Sequence, residues 1–544
     1  VARYEYTPTV GSLDGYTLGG RGSTWLGDKL RVGLTAQRET TDSADQTLLG
    51  ADAMLRLTAG TFIKGEIAQT DGPAFGQANS VDGGLSFSNI TATGFAGRKA
   101  RAYKIEAGAD FAEMRGLTGD HGRVSAYFES FDAGFAASSQ LTQSDTTRWG
   151  AALALPIGDT TQVAAKYDEL KSAAAGTHRV ASLDLSQKFG NGFDAKLGMR
   201  HDDQVRGLLY NSTEAGTRTD AALQLGYSPD SKNWSVYGFG QATLQADASR
   251  NQNNRFGVGA KAEISDRSSL SGEISGGDGG LGADVQLTRR YGKGSEAYIG
   301  YSLLADRTDT GLEPVNLFTR SNRGTLTVGA RHKFSSALSI YGENRIGHGG
   351  TAPSTMRSLG AKFDPNEKLS FSASFENGKI DDATTGVFRR TAGTFGFGYT
   401  TKSVQFGSNV EARFEKGAGR DQTVWLFRNT ASVQVNPDWR ALGRFNLAIA
   451  KDDGSSLRAA DYVEAVVGFA YRPVLNDRLN ILARANYFQD LGPVGQITSG
   501  GETNSPKQRS MIGVIDVNYD LTKSFTIGGK YGYRKGQVSL DRTS

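Results

Sequence analysis

The feature that most constrains this chain is a two-residue alternation that runs up to a turn and resumes beyond it. Met511, Gly513, Ile515, Val517, Tyr519 and Leu521 fall on one face of an extended segment, and Asp516, Asn518 and Asp520 fall on the other. After Thr522-Lys523-Ser524 the apolar set resumes as Phe525, Ile527, Gly529, Tyr531 and Tyr533, with Thr526, Lys530 and Arg534 opposite. Such a pattern predicts an antiparallel hairpin with arms of about ten residues, the length a tilted strand needs to cross a bilayer.

The same texture runs from Val1 to Ser544, so the 544 residues read as a single domain rather than several. Hydrophobic residues make up 38%, mean hydropathy is -0.41, and no apolar run is long enough for a spanning helix. A membrane barrel survives this test because its apolar residues alternate with polar ones. Glycine is abundant at 71 and proline scarce at 11, as twisted strands require. The lack of cysteine removes disulfide, zinc-thiolate and thiol-nucleophile chemistry. With 61 basic and 57 acidic residues, no global field points to nucleic acid. Val1-Ala2-Arg3 has no signal-peptide character, which implies a processed chain or part of a longer one.

Tight turns are expected at Gly27-Asp28-Lys29, Ala59-Gly60, Gly158-Asp159, Gly190-Asn191-Gly192, Asp230-Ser231-Lys232, Asp266-Arg267, Gly292-Lys293-Gly294, Ser335-Ser336, Pro365-Asn366-Glu367, Thr401-Lys402, Asn436-Pro437, Asn476-Asp477 and Thr522-Lys523. A further turn is placed near Gly116 to Gly122. Longer polar segments fall between them, among them 202–216, 246–254, 306–322, 379–389, 451–459 and 489–506. Short connections on one side and long ones on the other are the sidedness of an outer-membrane barrel, with periplasmic turns and extracellular loops. Residues 71–98 read as two weak strands or as one long loop over the mouth or into the lumen. Direction counting favours the loop. The fold expected is an all-β, transmembrane, antiparallel up-and-down barrel of about 30 strands.

Strand faces assign the solvent. Trp439, Ala441, Phe445, Leu447 and Ile449 oppose Arg440, Arg444 and Asn446; Leu369, Phe371, Ala373 and Phe375 oppose Ser370, Ser372, Ser374 and Glu376; Leu30, Val32, Leu34 and Ala36 oppose Arg31, Thr35 and Gln37. An arginine facing lipid at mid-depth costs about 2–4 kcal/mol, so the charged face belongs to the lumen. Candidate lumen residues are Arg31, Arg440, Arg444, Arg484, Asp516, Asn518, Lys530 and Arg534. Trp234, Trp439, Tyr519 and Phe525, close to tight turns, are candidates for an aromatic belt at the periplasmic interface.

A propeller or solenoid would show a blade or repeat signature, and a sandwich would not sustain amphipathic hairpins of this length. Gly279-Gly280-Leu281-Gly282-Ala283-Asp284 matches half of a calcium-binding nonapeptide, but it occurs once and reads as a flexible loop; Asp284 is the one metal candidate. The glycines of Gly393 to Gly398 have no following helix and read as strand glycines rather than a phosphate loop. His121, His178, His201, His332 and His348 are scattered without metal-ligand spacing. His201-Asp202-Asp203 has no serine placed beside it by sequence, so no enzyme is expected, and no cofactor.

These features resemble large Gram-negative outer-membrane β-barrels over nearly the whole chain. Thr17 to Glu39, TLGGRGSTWLGDKLRVGLTAQRE, looks like the barrel at the carboxyl end of very large multidomain bacterial surface proteins. The resemblance implies an outer-membrane location among lipid and lipopolysaccharide. It also implies a final strand ending on an aromatic residue, whereas Leu540-Asp541-Arg542-Thr543-Ser544 is polar and reads as a strand just beginning. Either the polypeptide continues or something else completes closure. A barrel this wide implies a conduit or anchoring scaffold for secretion, export or surface display, its lumen filled by another domain or a partner chain. The alternative is a porin-like diffusion channel narrowed by loops such as 71–98 or 306–322, with the lumen cations favouring anions.

Overall fold

The computed structural model describes residues 11–12, 14–41, 45–72, 77–79, 88–90, 99–137, 140–142, 144–205, 215–230, 233–303, 324–348, 354–382, 386–417, 420–452, 461–490 and 505–541. Among them 28 antiparallel strands form one closed barrel. Each strand pairs with its neighbours in sequence, and the ring is sealed where Phe525–Asp541 pairs on one side with Ser505–Asp520 and on the other with Gly15–Leu26. Register runs from Gly15 opposite Arg534 to Thr24 opposite Phe525. The segment around Leu540, expected to begin a new strand, is the outer end of Phe525–Asp541, a 17-residue strand. No turn interrupts the extended path after Arg534, and the Gly536 amide donates to Asp14 at 3.0 Å. Closure therefore takes place within the chain.

Connections separate by end as the sequence implies. Gly27, at φ +70°, and Asn191, at φ +60°, adopt the left-handed conformation that their tight turns require. Pro365 and Asn366 belong to the strand Ser354–Asn366, so that turn lies one to two residues later than expected. Asn366 Oδ1 accepts from the amides of Lys368 and Leu369 at 2.9 and 3.0 Å, and this cap reverses the chain. Residues 231–232 of another expected turn lie outside the described residues. The turn expected near Gly116 contains a helix, Phe111–Arg115. Asp110 caps it by accepting from the amides of Ala112 and Glu113, and left-handed Gly116 ends it.

Phe62–Asp71 pairs directly with Lys99–Asp110, so the segment between them leaves the barrel ladder. Within it Gln77–Asn79 and Ser88–Ile90 form a separate two-stranded sheet, and its remaining residues from 73 to 98 lie outside the described ones. The proposed inward loop 306–322 also lies outside them, as do 206–214, 383–385, 453–460 and 491–504 within the other long connections. The ends of 379–389 are strand: 379–382 continue Leu369–Asp382, and 386–389 open Gly386–Thr400.

The barrel has no conventional interior. Alternation puts exposed Leu34, Val258, Leu359 and Phe395 on the outer face, as it does the cross-strand pair Ile515 and Tyr531. The opposite face carries cross-strand ion pairs. An exposed apolar exterior on a closed sheet is the condition for residence in hydrocarbon, because every strand amide is bonded and only apolar side chains meet lipid. Two neighbouring positions test this partition. Leu359→Arg puts a charge on the outer face between the membrane rims, whereas Ser358→Arg puts one on the inner face, in register with Glu343. In lipid vesicles Leu359→Arg is expected to lower barrel stability to denaturant by about 2–4 kcal/mol and Ser358→Arg by under about 1 kcal/mol. Equal effects would contradict the assignment of faces.

Candidate functional site

The inner wall is built strand by strand from alternate residues, and register decides which charges meet. Asp52 is held by Arg21 at 2.6 Å and by Arg31 at 4.0 Å, in space left by Gly33, where a side chain would collide with Asp52 and Arg21. Lys64, Glu106, Lys104 and Glu129 form a ladder over three strands, with contacts of 3.4, 2.8 and 3.1 Å. Arg444 meets buried Glu464 at 3.2 Å, and Asn446 donates to the same carboxylate at 2.8 Å. Lys530 lies 3.8 Å from Asp516, and Arg534 lies 3.4 Å from Glu39. Arg440 donates to Gln434 at 3.0 Å. Arg484 and Asn518 share this face, in register with Val514 and Gly528. Four of the six cations chosen from sequence therefore stand beside carboxylates. The wall is of mixed sign rather than positive.

The aromatic candidates gather near the turn end of the outer face. Trp439 packs against Tyr471 with centroids 4.6 Å apart, and Trp234 packs against Tyr227, which also meets Phe193. Tyr519 is exposed opposite Ile527, and Phe525 pairs with Thr24. His332 joins this belt between Tyr291 and Phe334. Asp284 lies not in a loop but in the strand Gly282–Gly292, opposite Glu273 and Ser302, while the Gly280 carbonyl accepts from Arg255. The half-motif is thus opened out by strand pairing, and among the described residues no group of three or more metal-ligating side chains forms.

Two loops fold inward at the mouth; 247–254 was expected as a long polar connection, but the inward course of both was not legible in the sequence. Residues 132–137 cross the inner ends of several strands: Phe135 packs on Ala100 and Ala102, the Ala136 carbonyl accepts from Gln46 at 2.8 Å, and Asp132 accepts from the Arg101 amide at 2.9 Å. Residues 247–254 lie over their own hairpin, with the Asn253 carbonyl accepting from Gln241 at 2.8 Å and Asn254 from the Thr243 amide at 2.9 Å. Under this second loop is the densest charge cluster on the wall. Asp202 contacts Arg250 at 2.7 Å, His178 at 2.9 Å and Arg200 at 3.5 Å; beside it Asp220 contacts Arg218 at 2.8 Å and Thr243 at 2.7 Å. The run His201-Asp202-Asp203 is split by alternation: Asp202 faces inward, while His201 bonds Thr219 and Asp203 bonds Arg179 on the outer face. The signal available in sequence was a buried-type ion network scattered over residues 178 to 250, which only cross-strand register assembles.

This mouth is a rigid, polar, water-facing surface with its charges largely paired. It can line a passage or receive a polar partner. Arg250 pins the loop to the wall, so Arg250→Ala is expected to accelerate protease cleavage within 247–254 about tenfold or more, with the barrel otherwise intact on gels. Unchanged cleavage would show that the loop is held by its backbone contacts alone.

Closed strand ring, lipid-facing exterior, aromatic belt and polar lumen together define an outer-membrane β-barrel protein, located in a bacterial outer membrane. No protein-family profile and no curated protein sequence matches the chain. Among solved structures it is similar to the ferric-catecholate import receptor Fiu of E. coli K12, at 10% identity and TM-score 0.33 over 97% of this chain and 82% of that one. It is also similar to the FrpB iron transporter of Neisseria meningitidis, at 10% identity and TM-score 0.35 over 95% and 81%. An anion-selective porin from Comamonas acidovorans aligns at 14% identity and TM-score 0.27 over 56% and 92%. The assignment rests on the barrel's own geometry.

Proposed function

We propose that this protein is a large outer-membrane conduit or anchoring scaffold whose lumen is occupied in the cell by another domain or a partner chain. The observation that carries this reading is closure at 28 strands. At about 4.8 Å between strands and a tilt of about 40°, the perimeter is about 175 Å and the backbone diameter about 55 Å. A ring of 16 to 18 strands already encloses an aqueous channel. An unfilled opening of this width would pass folded protein segments and abolish the permeability barrier. The inward segments 132–137 and 247–254 lie along the wall and remove only about 10 Å each, one packed layer. The paired wall offers polar contacts at many heights to an occupant, and secretion, export and surface display all suit such a frame. Catalysis forms no part of the reading.

The alternative, a porin-like channel, draws on the same wall and would use Arg440, which has a neutral partner, and Arg444. Planar-bilayer recording separates the two. Under the filled-lumen reading, protein extracted intact conducts little and carries an additional chain or domain, while the stripped barrel conducts in steps several times those of an ordinary porin, by the growth of area with strand number. Porin-sized steps from intact protein without an associated chain would overturn it. In that case Arg440→Glu with Arg444→Glu is expected to move the reversal potential toward cation selectivity.

A further inference from the structure

We infer that the outward row Lys379, Arg389 and Lys416 is a binding site for the phosphate groups of an outer-leaflet lipid, the glycolipid lipopolysaccharide. Lys379 stands directly opposite Arg389, and Arg389 directly opposite Lys416, on three consecutive strands. Three like charges at strand spacing of about 4.8 Å repel one another, an arrangement that destabilises a sheet unless an anion bridges them. All three are exposed, and Arg357 lies one step nearer the apolar band, opposite Asn377. Among the described residues neither Arg357, Lys379 nor Arg389 has a carboxylate in ion-pair range; Lys416 has Asp421 at 3.7 Å, and Asp381 lies farther out on the strand of Lys379.

Their height fits a lipid headgroup. Arg389 is ten residues along its strand from Tyr399 at the aromatic turn end, about 25 Å up the membrane normal at the usual rise and tilt, which is the height of the apolar band. Directly beneath the row, Phe375, Phe395 and Phe414 are exposed on the same outer face. Cations above an apolar aromatic column match a molecule with phosphates at one end and acyl chains at the other. Three other outward cations on this rim are neutralised within the protein: Arg38 by Asp45, Lys99 by Asp71, and Arg179 by Glu169 and Asp203. In the arc from Lys379 to Lys416 only the last cation has such a partner, Asp421, which leaves Lys379 and Arg389 without a carboxylate in range among the described residues.

The test uses the full chain extracted from outer membranes, with native mass spectrometry counting retained glycolipid. Lys379→Gln, Arg389→Gln and Lys416→Gln combined are expected to reduce retention, each lost cation by about fivefold. The charge-preserving set Lys379→Arg, Arg389→Lys and Lys416→Arg should retain it, as should Lys402→Gln at the opposite rim of the same hairpin. Dephosphorylated glycolipid should not be retained by the unaltered chain. Undiminished retention in the triple Gln variant, an equal loss with Lys402→Gln, or binding of inorganic phosphate without any lipid would overturn the proposal.

Discussion

Everything in this molecule depends on the disposal of backbone hydrogen bonds in a medium without water. A strand amide or carbonyl left unpaired in hydrocarbon costs several kcal/mol, so a sheet that enters a bilayer has to close on itself. The pairing of Gly15–Leu26 with Phe525–Asp541 meets that demand, joining the ladders of all 28 strands without an edge. Once closure is imposed, the side-chain period of two does the rest: each strand shows one set of residues to lipid and the other to an enclosed aqueous space.

The enclosed face then follows different rules from the exterior. Outside, packing is between neighbours such as Trp439 and Tyr471, and specificity is low. Inside, charges are selected in registered sets, as where Glu464 serves both Arg444 and Asn446, or Asp202 gathers His178, Arg200 and Arg250. These pairings fix the wall's shape and moderate its field. They turn what would be a strongly positive lining into a surface of small alternating potentials, suited to water or to another polypeptide.

The strands, their facing and most turns were legible from sequence because they rest on local rules. Period-two alternation marks residues 511 to 534 without knowledge of any partner, and Asn191 or Gly27 announces a turn through its own backbone preference. What escaped was non-local. Nothing near Arg31 in sequence reveals Asp52 beside it, and nothing near Asp202 reveals Arg250, because a one-residue change in register would bring in different partners. The inward course of 132–137 depends on Phe135 finding Ala100 and Ala102 across the sheet. Turn composition alone also could not tell that Phe111–Arg115 would form a capped helix, since that needs Glu113 to reach the Gly60 amide of an adjacent connection.

The seam between the first and last strands has a consequence in time. Its partners, such as Glu39 and Arg534, are separated by nearly the entire polypeptide, so loop-closure entropy opposes their meeting more than that of any hairpin. Hairpins can zip early, but the ribbon keeps two raw margins until Gly15–Leu26 pairs with Phe525–Asp541. During that interval each margin is a template for unwanted pairing, and joining the two ends removes both hazards at once.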